Sequence, residues 1–316
     1  MNRRAFLTTS GLLVAAAPVG LLAQPPANQP SSPLLSGPLP PPQDTLPTGK
    51  IGSREFSRMI LGGNLIGGYA HSRDLAYVSQ LMLRYNTAAK ILETLEIAES
   101  HGINAVNSWV KDGIPQLQQH WKRGGKMQWI AQARVNPSGD LDQFKKAADL
   151  GAAAIHVTGD VADSLVKQGN LDTIARILDL VRGQKCSAGI GAHGLGTVVA
   201  CEKARLNPDF YVKTYHSHQY ATAPKADETA DLGRYDNSWC KDPEEVAEVM
   251  FNVRQPWFAF KVLAAGAIPP ARGFRFAFEG GADFILVGMF DWQIAEDVKL
   301  VKEVLSDVKR TRPWRS

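Results

Sequence analysis

Four histidines stand at the ends of apolar runs in this chain. His156 lies in Ala152–Asp160 (AAAIHVTGD), His193 in Gly191-Ala192-His193-Gly194, and His216-Ser217-His218 in Phe210–Gln219. Residues two apart on a strand share a face, so His216 and His218 are expected to point the same way. Imidazoles from neighbouring strands, with Asp112 across the mouth, can coordinate a divalent transition metal such as zinc, manganese or iron, with His193, His216 and His218 as the candidate ligands. Such an ion polarises a carbonyl or activates water. The same residues also support metal-free proton transfer, with a histidine as base and Arg134 or Lys261 holding an oxyanion. Each has an ordinary reading too, as a hydrogen-bonded core histidine or a structural ion pair. Trp109, Tyr215, Tyr220 and Trp239 are candidates for an aromatic wall facing a sugar ring.

Strand ends must hold these groups, and the patterning supplies them. Strands are expected at Met59–Gly63, Ile103–Trp109, Met127–Val135, Ala152–Thr158, Ser187–Gly191, Phe210–Gln219, Trp257–Leu263 and Phe284–Val287. Between them, helical periodicity covers Asp74–Tyr85, Ala88–Ser100, Gln116–Lys122, Leu141–Leu150, Leu171–Arg182, Gly196–Ala204 and Arg272–Glu279, and Trp292–Lys309 closes the chain. Asp242-Pro243-Glu244-Glu245 starts one more helix, with a cap, a proline at the first position and a glutamate three residues after the cap. Ala221–Lys241, a polar stretch of about 20 residues without periodicity, is longer than most connections in a compact domain and is expected to be functional. Strands alternating with helices, joined by crossovers long enough for parallel pairing, predict a (β/α)8 TIM barrel.

Gly49-Lys50-Ile51-Gly52-Ser53-Arg54-Glu55-Phe56-Ser57-Arg58 leading into Leu61-Gly62-Gly63, Phe260-Lys261-Val262-Leu263-Ala264-Ala265-Gly266, and Gly281-Ala282-Asp283-Phe284-Ile285-Leu286-Val287-Gly288-Met289 are the runs that carry a family resemblance. The segment from Gly49 to the end resembles the aldo/keto reductases. The resemblance implies a barrel enzyme acting on a small carbonyl or sugar with NADP, whose phosphate would sit at Gly288 and Met289. It also implies an acid tyrosine, a lysine, an aspartate and a histidine. Carried over, the histidine is His156, the aspartate is replaced by Asn107, the tyrosine by Asp112 and the lysine by Arg134. A carboxyl group with an ordinary pKa of ~3.9 does not donate a proton at neutral pH as a phenol does. The residues therefore leave three expectations open: a divergent reductase, a non-redox lyase, isomerase or hydrolase with a histidine-rich metal or acid–base centre, and a barrel that only binds a ligand. Helix N-termini favour anions, but Asp291 follows Met289 and would repel a phosphate.

Composition sets the outer limits. The 316 residues are 44% hydrophobic and 21% charged, ordinary for one globular domain. The formal charge of +4 is not gathered into a basic block with interleaved aromatics, so nucleic-acid binding has no support and a small-molecule substrate is the expected partner. Asn2-Arg3-Arg4-Ala5-Phe6-Leu7 before Gly11–Ala23 resembles a twin-arginine export signal over 1–24. Its roughly 13 apolar residues are too few to span a bilayer, so no stable membrane anchor is expected once it is removed. A periplasmic or otherwise exported location follows. Residues 25–48 hold nine of the 19 prolines and read as an extended linker, so the domain is expected over 49–316. Three cysteines leave at least one thiol free; Cys186 and Cys201 read as buried, and Cys240, in a loop, as the one able to react.

Overall fold

A computed structural model describes residue 39, residues 41–42 and the chain from 44 onward, apart from 113, 137 and 226–234. The expected signal, 1–24, and most of the expected linker lie outside the described residues. Residues 44–47, read as linker, are packed: Leu46 is buried in the core, Asp44 is paired with Lys302, and the Pro47 carbonyl accepts from the Arg58 amide at 2.8 Å.

The first strands among the described residues form an antiparallel hairpin that the patterning did not reveal, β1 (Thr48–Ile51) and β2 (Arg54–Ser57). Ile51 pairs with Arg54 across the turn, and Gly52 takes the left-handed φ of 59° that such a tight reversal demands. Ile51 and Phe56 pack with Ile60, Phe210, Phe258 and Phe284 from inside the barrel, so the hairpin plugs its lower end.

Eight parallel strands close the barrel in the order β10-β3-β4-β5-β6-β7-β8-β9. They are β3 (Met59–Gly62), β4 (Ala105–Trp109), β5 (Gln128–Ala133), β6 (Ala154–Val157), β7 (Ser187–Ala192), β8 (Phe210–Thr214), β9 (Trp257–Phe260) and β10 (Phe284–Val287). Strand alternation splits the core in two. Ala105, Ile130, Ala154, Phe210, Val212 and Phe258 fill the interior, while their neighbours Val106, Trp129, Ile155, Tyr211 and Trp257 pack against the helices. The helices are α1 (Tyr77–Tyr85), α2 (Ala88–Ser100), α3 (Ile114–Lys122), α4 (Asp142–Asp149), α5 (Gly159–Lys167), α6 (Leu171–Gly183), α7 (Leu195–Lys203), α8 (Pro243–Asn252), α9 (Pro270–Glu279) and α10 (Ile294–Asp307).

Three departures from the sequence reading bear on the site. Gly159–Lys167, read as a connection, is the helix α5; Asp160 lies in its first turn, where free amides favour a negative charge. The sixth barrel strand stops at Thr214, so His216 and His218 are not on a strand and do not share an inward face. The seventh stops at Phe260: Lys261, Ala264 and Ala265 have φ of 60°, 45° and 55°, which break the ladder. Cys240 is buried, and burial raises its thiol above the usual range, so it is not the reactive cysteine of the sequence reading.

Candidate active site

Alternation turns Asn107 of β4, Gln132 of β5 and His156 of β6 toward the barrel axis. The Asn107 side chain joins the other two. Its Oδ1 accepts from Gln132 Nε2 at 2.6 Å, and its Nδ2 meets His156 Nε2 at 3.0 Å and the Ile130 carbonyl at 3.1 Å. Since an amide nitrogen only donates, His156 Nε2 is the acceptor, and Nδ1 carries the proton that it gives to the Val157 carbonyl at 3.2 Å. Burial lowers the His156 pKa to about 4, so the imidazole is neutral near pH 7. This wall is an uncharged network with its donors and acceptors matched.

The strand-three residue that reaches Asn107 is Gln132, which the sequence reading missed in favour of Arg134. β5 ends at Ala133, and Arg134 turns outward, paired with Asp160 at 2.5 Å and 5.6 Å from the Trp109 ring. Strand parity does not separate Gln132 from Arg134, which are two residues apart; the end of the strand at Ala133 and the register of Gln132 with His156 do. Asp112 packs against Gly67 and Tyr69 rather than lining the cavity. Burial raises its pKa, against the opposing pull of Lys111 and Tyr69, and its Oδ2 is buried with no hydrogen-bond partner among the described residues. The phenol at the cavity is Tyr69, from the turn Gly67-Gly68-Tyr69, 6.0 Å from Trp109 between ring centres. A tyrosine so soon after the first strand was the available signal.

The opposite wall is built by loops. Lys261, just past β9, brings its Nζ to 3.0 Å from His71 Nε2, and His71 Nδ1 lies 3.1 Å from Asp236 Oδ1. The carboxylate fixes the tautomer: Nδ1–H donates to Asp236, leaving Nε2 to accept from the amine. The Trp239 ring centre is 3.2 Å from the same Nζ. Burial lowers the Lys261 pKa to about 7, with Asp236 and Asp160 opposing. His71 is also lowered, first by burial and then by Lys261, against the pull of Asp236. His71 and Lys261 both have left-handed φ, 49° and 60°, a conformation that side chains seldom adopt and that surrounding structure must enforce.

Side chains below the loop anchor the segment that carries Asp236 and Trp239. Buried His216 accepts from the Trp239 and Cys240 amides through Nε2, at 3.0 and 3.1 Å, while its Nδ1 donates to the Ser217 carbonyl at 3.1 Å. His218 Nε2 donates to the Cys240 carbonyl at 2.7 Å. Asn237 bonds Thr222 at 2.9 Å and the Ala264 carbonyl at 3.2 Å, tying the loop's two ends to the turn after Lys261. His193 packs under Trp239 and Phe260, ring centres 4.8 and 5.5 Å away, and burial lowers its pKa to about 3.

The expected metal set is therefore not assembled. His216 has both ring nitrogens engaged with backbone, His218 faces a carbonyl, and His193 stacks on aromatics; among the described residues no three potential ligands converge as an ion requires. The phosphate position fits no better. Met289 is buried in the core, the Phe290 amide donates to Gln293 Oε1 at 3.0 Å, and Asp291 holds the helix start through Tyr85 at 2.7 Å and Lys90 at 3.1 Å. An anion there would meet a carboxylate first. Of the expected aromatic wall, Trp239 lines the cavity, whereas Tyr215 is buried on Trp257 and Phe276 and Tyr220 packs on His216.

Between the two walls, at the C-terminal ends of the strands, lies a cavity of about 280 Å3. Tyr69, His71, Asn107, Gln132, Trp239 and Lys261 line it; His156 stands behind Asn107. This is the face on which barrel enzymes carry their active sites, and the volume suits a small molecule.

Two solved structures of proteins from Pseudomonas aeruginosa, each provisionally named an aldo-keto reductase, share this architecture. Both have 16% sequence identity and a TM-score of 0.56; one match covers 87% of this chain and 99% of the other, the second 83% and 98%. No family model matches the chain, and no curated protein matches it. At that identity the likeness is one of fold.

Proposed function

We propose that this barrel is an enzyme acting on a small carbonyl compound or sugar by acid–base chemistry, as an isomerase or lyase, without hydride transfer. The observation that carries the reading is the pairing of an uncharged Asn107–Gln132–His156 wall with an Asp236–His71–Lys261 chain across one small cavity. The substrate's carbonyl oxygen accepts from the second N–H of Gln132, a residue of the cavity lining. His71, its tautomer set by Asp236, takes and returns the proton beside that carbonyl. A reductase would need a phenol and a lysine beside Asn107, and the residues at Gly288 and Met289 suit a phosphate poorly.

The test is solvent exchange. The protein in deuterated water, with no nicotinamide added, is expected to exchange the hydrogen next to the carbonyl of dihydroxyacetone, glyceraldehyde or a simple aldose, read by proton NMR. Turnover only in the presence of NADPH, followed by its absorbance, would return the barrel to the reductases. The leader supports an exported enzyme: Arg3→Lys with Arg4→Lys is expected to retain a reporter fusion in the cytoplasm, and unchanged export would remove that part of the reading.

A further inference from the structure

We propose that Lys261 is a covalent centre, its Nζ attacking the carbonyl carbon of the substrate to form an imine, with His71 carrying the proton. This rests on the carbonyl-directed reading above and adds a bond to it.

The geometry points to this lysine in particular. Strand alternation would send a residue after Phe260 to the helix side, as it sends Trp257 and Ala259. The left-handed backbone at Lys261 brings its side chain to the cavity instead, a conformation that surrounding structure must hold in place. The amine is held, not loose: one N–H donates to His71 Nε2, and the Trp239 face covers it. Among the described residues no carboxylate touches it directly. Asp236 acts through the imidazole, so the ammonium form lacks the ion pair that would keep it charged, and burial lowers its pKa to about 7. An unprotonated amine is the nucleophilic form.

Other lysines near the barrel mouth are committed elsewhere. Lys213 is fully buried, with Nζ on the His193 carbonyl at 2.8 Å, the Thr214 carbonyl at 2.9 Å and Thr214 Oγ1 at 2.8 Å. Lys90 is paired with Glu93 at 2.8 Å and Asp291 at 3.1 Å. Neither lines the cavity.

The step balances without oxidant or reductant. The Nζ lone pair forms the N–C bond, and the carbonyl π pair moves to oxygen. His71 Nε2 takes a proton from the resulting ammonium and delivers it to that oxygen, giving a neutral carbinolamine. A second proton, equal to the one Lys261 shed on becoming a free amine, lets the hydroxyl leave as water. The nitrogen lone pair then closes the C=N bond. Amine, carbonyl and one proton yield iminium and water. The cationic nitrogen draws electrons from the neighbouring carbon, which makes the adjacent hydrogen easier to remove.

The experiment is reductive trapping on the full chain with dihydroxyacetone, glyceraldehyde or pyruvate as probe and borohydride as hydride donor, followed by peptide mass mapping. The expected result is one adduct at Lys261, absent in Lys261→Arg, and formed on the order of tenfold more slowly in His71→Gln but still at Lys261. Adducts spread evenly over surface lysines, or none at Lys261 with a probe that exchanges, would overturn the proposal. Mapping on the unmodified chain keeps the test valid if a variant does not fold. Solvent exchange separates the two readings: exchange without an adduct removes the imine and leaves the acid–base enzyme, whereas neither exchange nor adduct with any probe removes both.

Discussion

The cavity's two walls differ in how the chain makes them. Asn107, Gln132 and His156 hang from three consecutive strands, each at an inward position, and their hydrogen bonds leave no charge. His71, Asp236 and Lys261 come from three loops, two of them through left-handed backbone, and each carries an acid or base side chain. A regular ladder gives a rigid wall at no backbone cost, and its polar groups behave like well-satisfied core. Loops cost strain and anchoring, but they can crowd an amine against an imidazole and an indole as no strand pair would. The lesson is that in this barrel the strand wall holds shape and the loop wall holds reactivity.

Substitutions on the two sides should therefore fail in different ways. Lys261→Met is expected to lower solvent exchange on the order of 10^3-fold or more while the melting temperature holds or rises, since a desolvated amine is removed. Exchange within tenfold of the original protein would erase the distinction. The same variant has a stability signature. Lys261 titrates at about 7 when folded, against ~10.4 unfolded, so between those values the unfolded chain binds the extra proton and stability rises with pH. Denaturation from pH 7 to 10 should show that rise in the original protein and a flatter profile in Lys261→Met.

Asn107→Leu strikes the other wall. It leaves buried His156 and half-buried Gln132 without their partner and should cost about 2–3 kcal/mol of stability in urea unfolding, because an orphaned buried polar group costs ~1–3 kcal/mol. His156→Ala should likewise lower stability, with a smaller loss of exchange than Lys261→Met, because His156 acts by holding Asn107. Acid gives a milder test. His156 and His216 at about 4 and His193 at about 3 stay neutral in the fold, so the unfolded chain gains protons first and stability should fall as pH drops from ~6.5 toward 4. A flat profile across that window would contradict their burial. The smallest effect is expected from Asn237→Ala, which loosens the segment bearing Asp236 and Trp239: about tenfold slower exchange and a loss of ~1 kcal/mol as the Ala264 carbonyl loses its donor.

The barrel was legible because period-two alternation and helix punctuation are local, and Phe284–Val287 and Ala88–Ser100 carry their limits in neighbouring residues. The hairpin Thr48–Ser57 escaped notice because its strands are short and mostly polar, and only the barrel floor supplies the burial of Ile51 and Phe56. The His-x-His reading failed for a definite reason. Its geometry assumed a strand through His218, but the ladder ends at Thr214, and the histidines serve as acceptor and donor to the Trp239–Cys240 backbone. Arg134 was chosen because the family resemblance asks for a cation on the third strand, and both positions have the same parity; only the strand's end at Ala133 puts Gln132 in the wall.

By itself, then, the sequence determined a parallel α/β barrel with His156 on a strand that opens at its mouth, since alternating runs and helix stops are local features. Tertiary structure alone decided that Lys261 turns into the cavity, that His71 meets it from 190 residues away, and that Asp236 reaches His71 across 165 more. Such contacts depend on where loops are tied down and which backbone strain the fold can hold, and neither is written in any local run of residues.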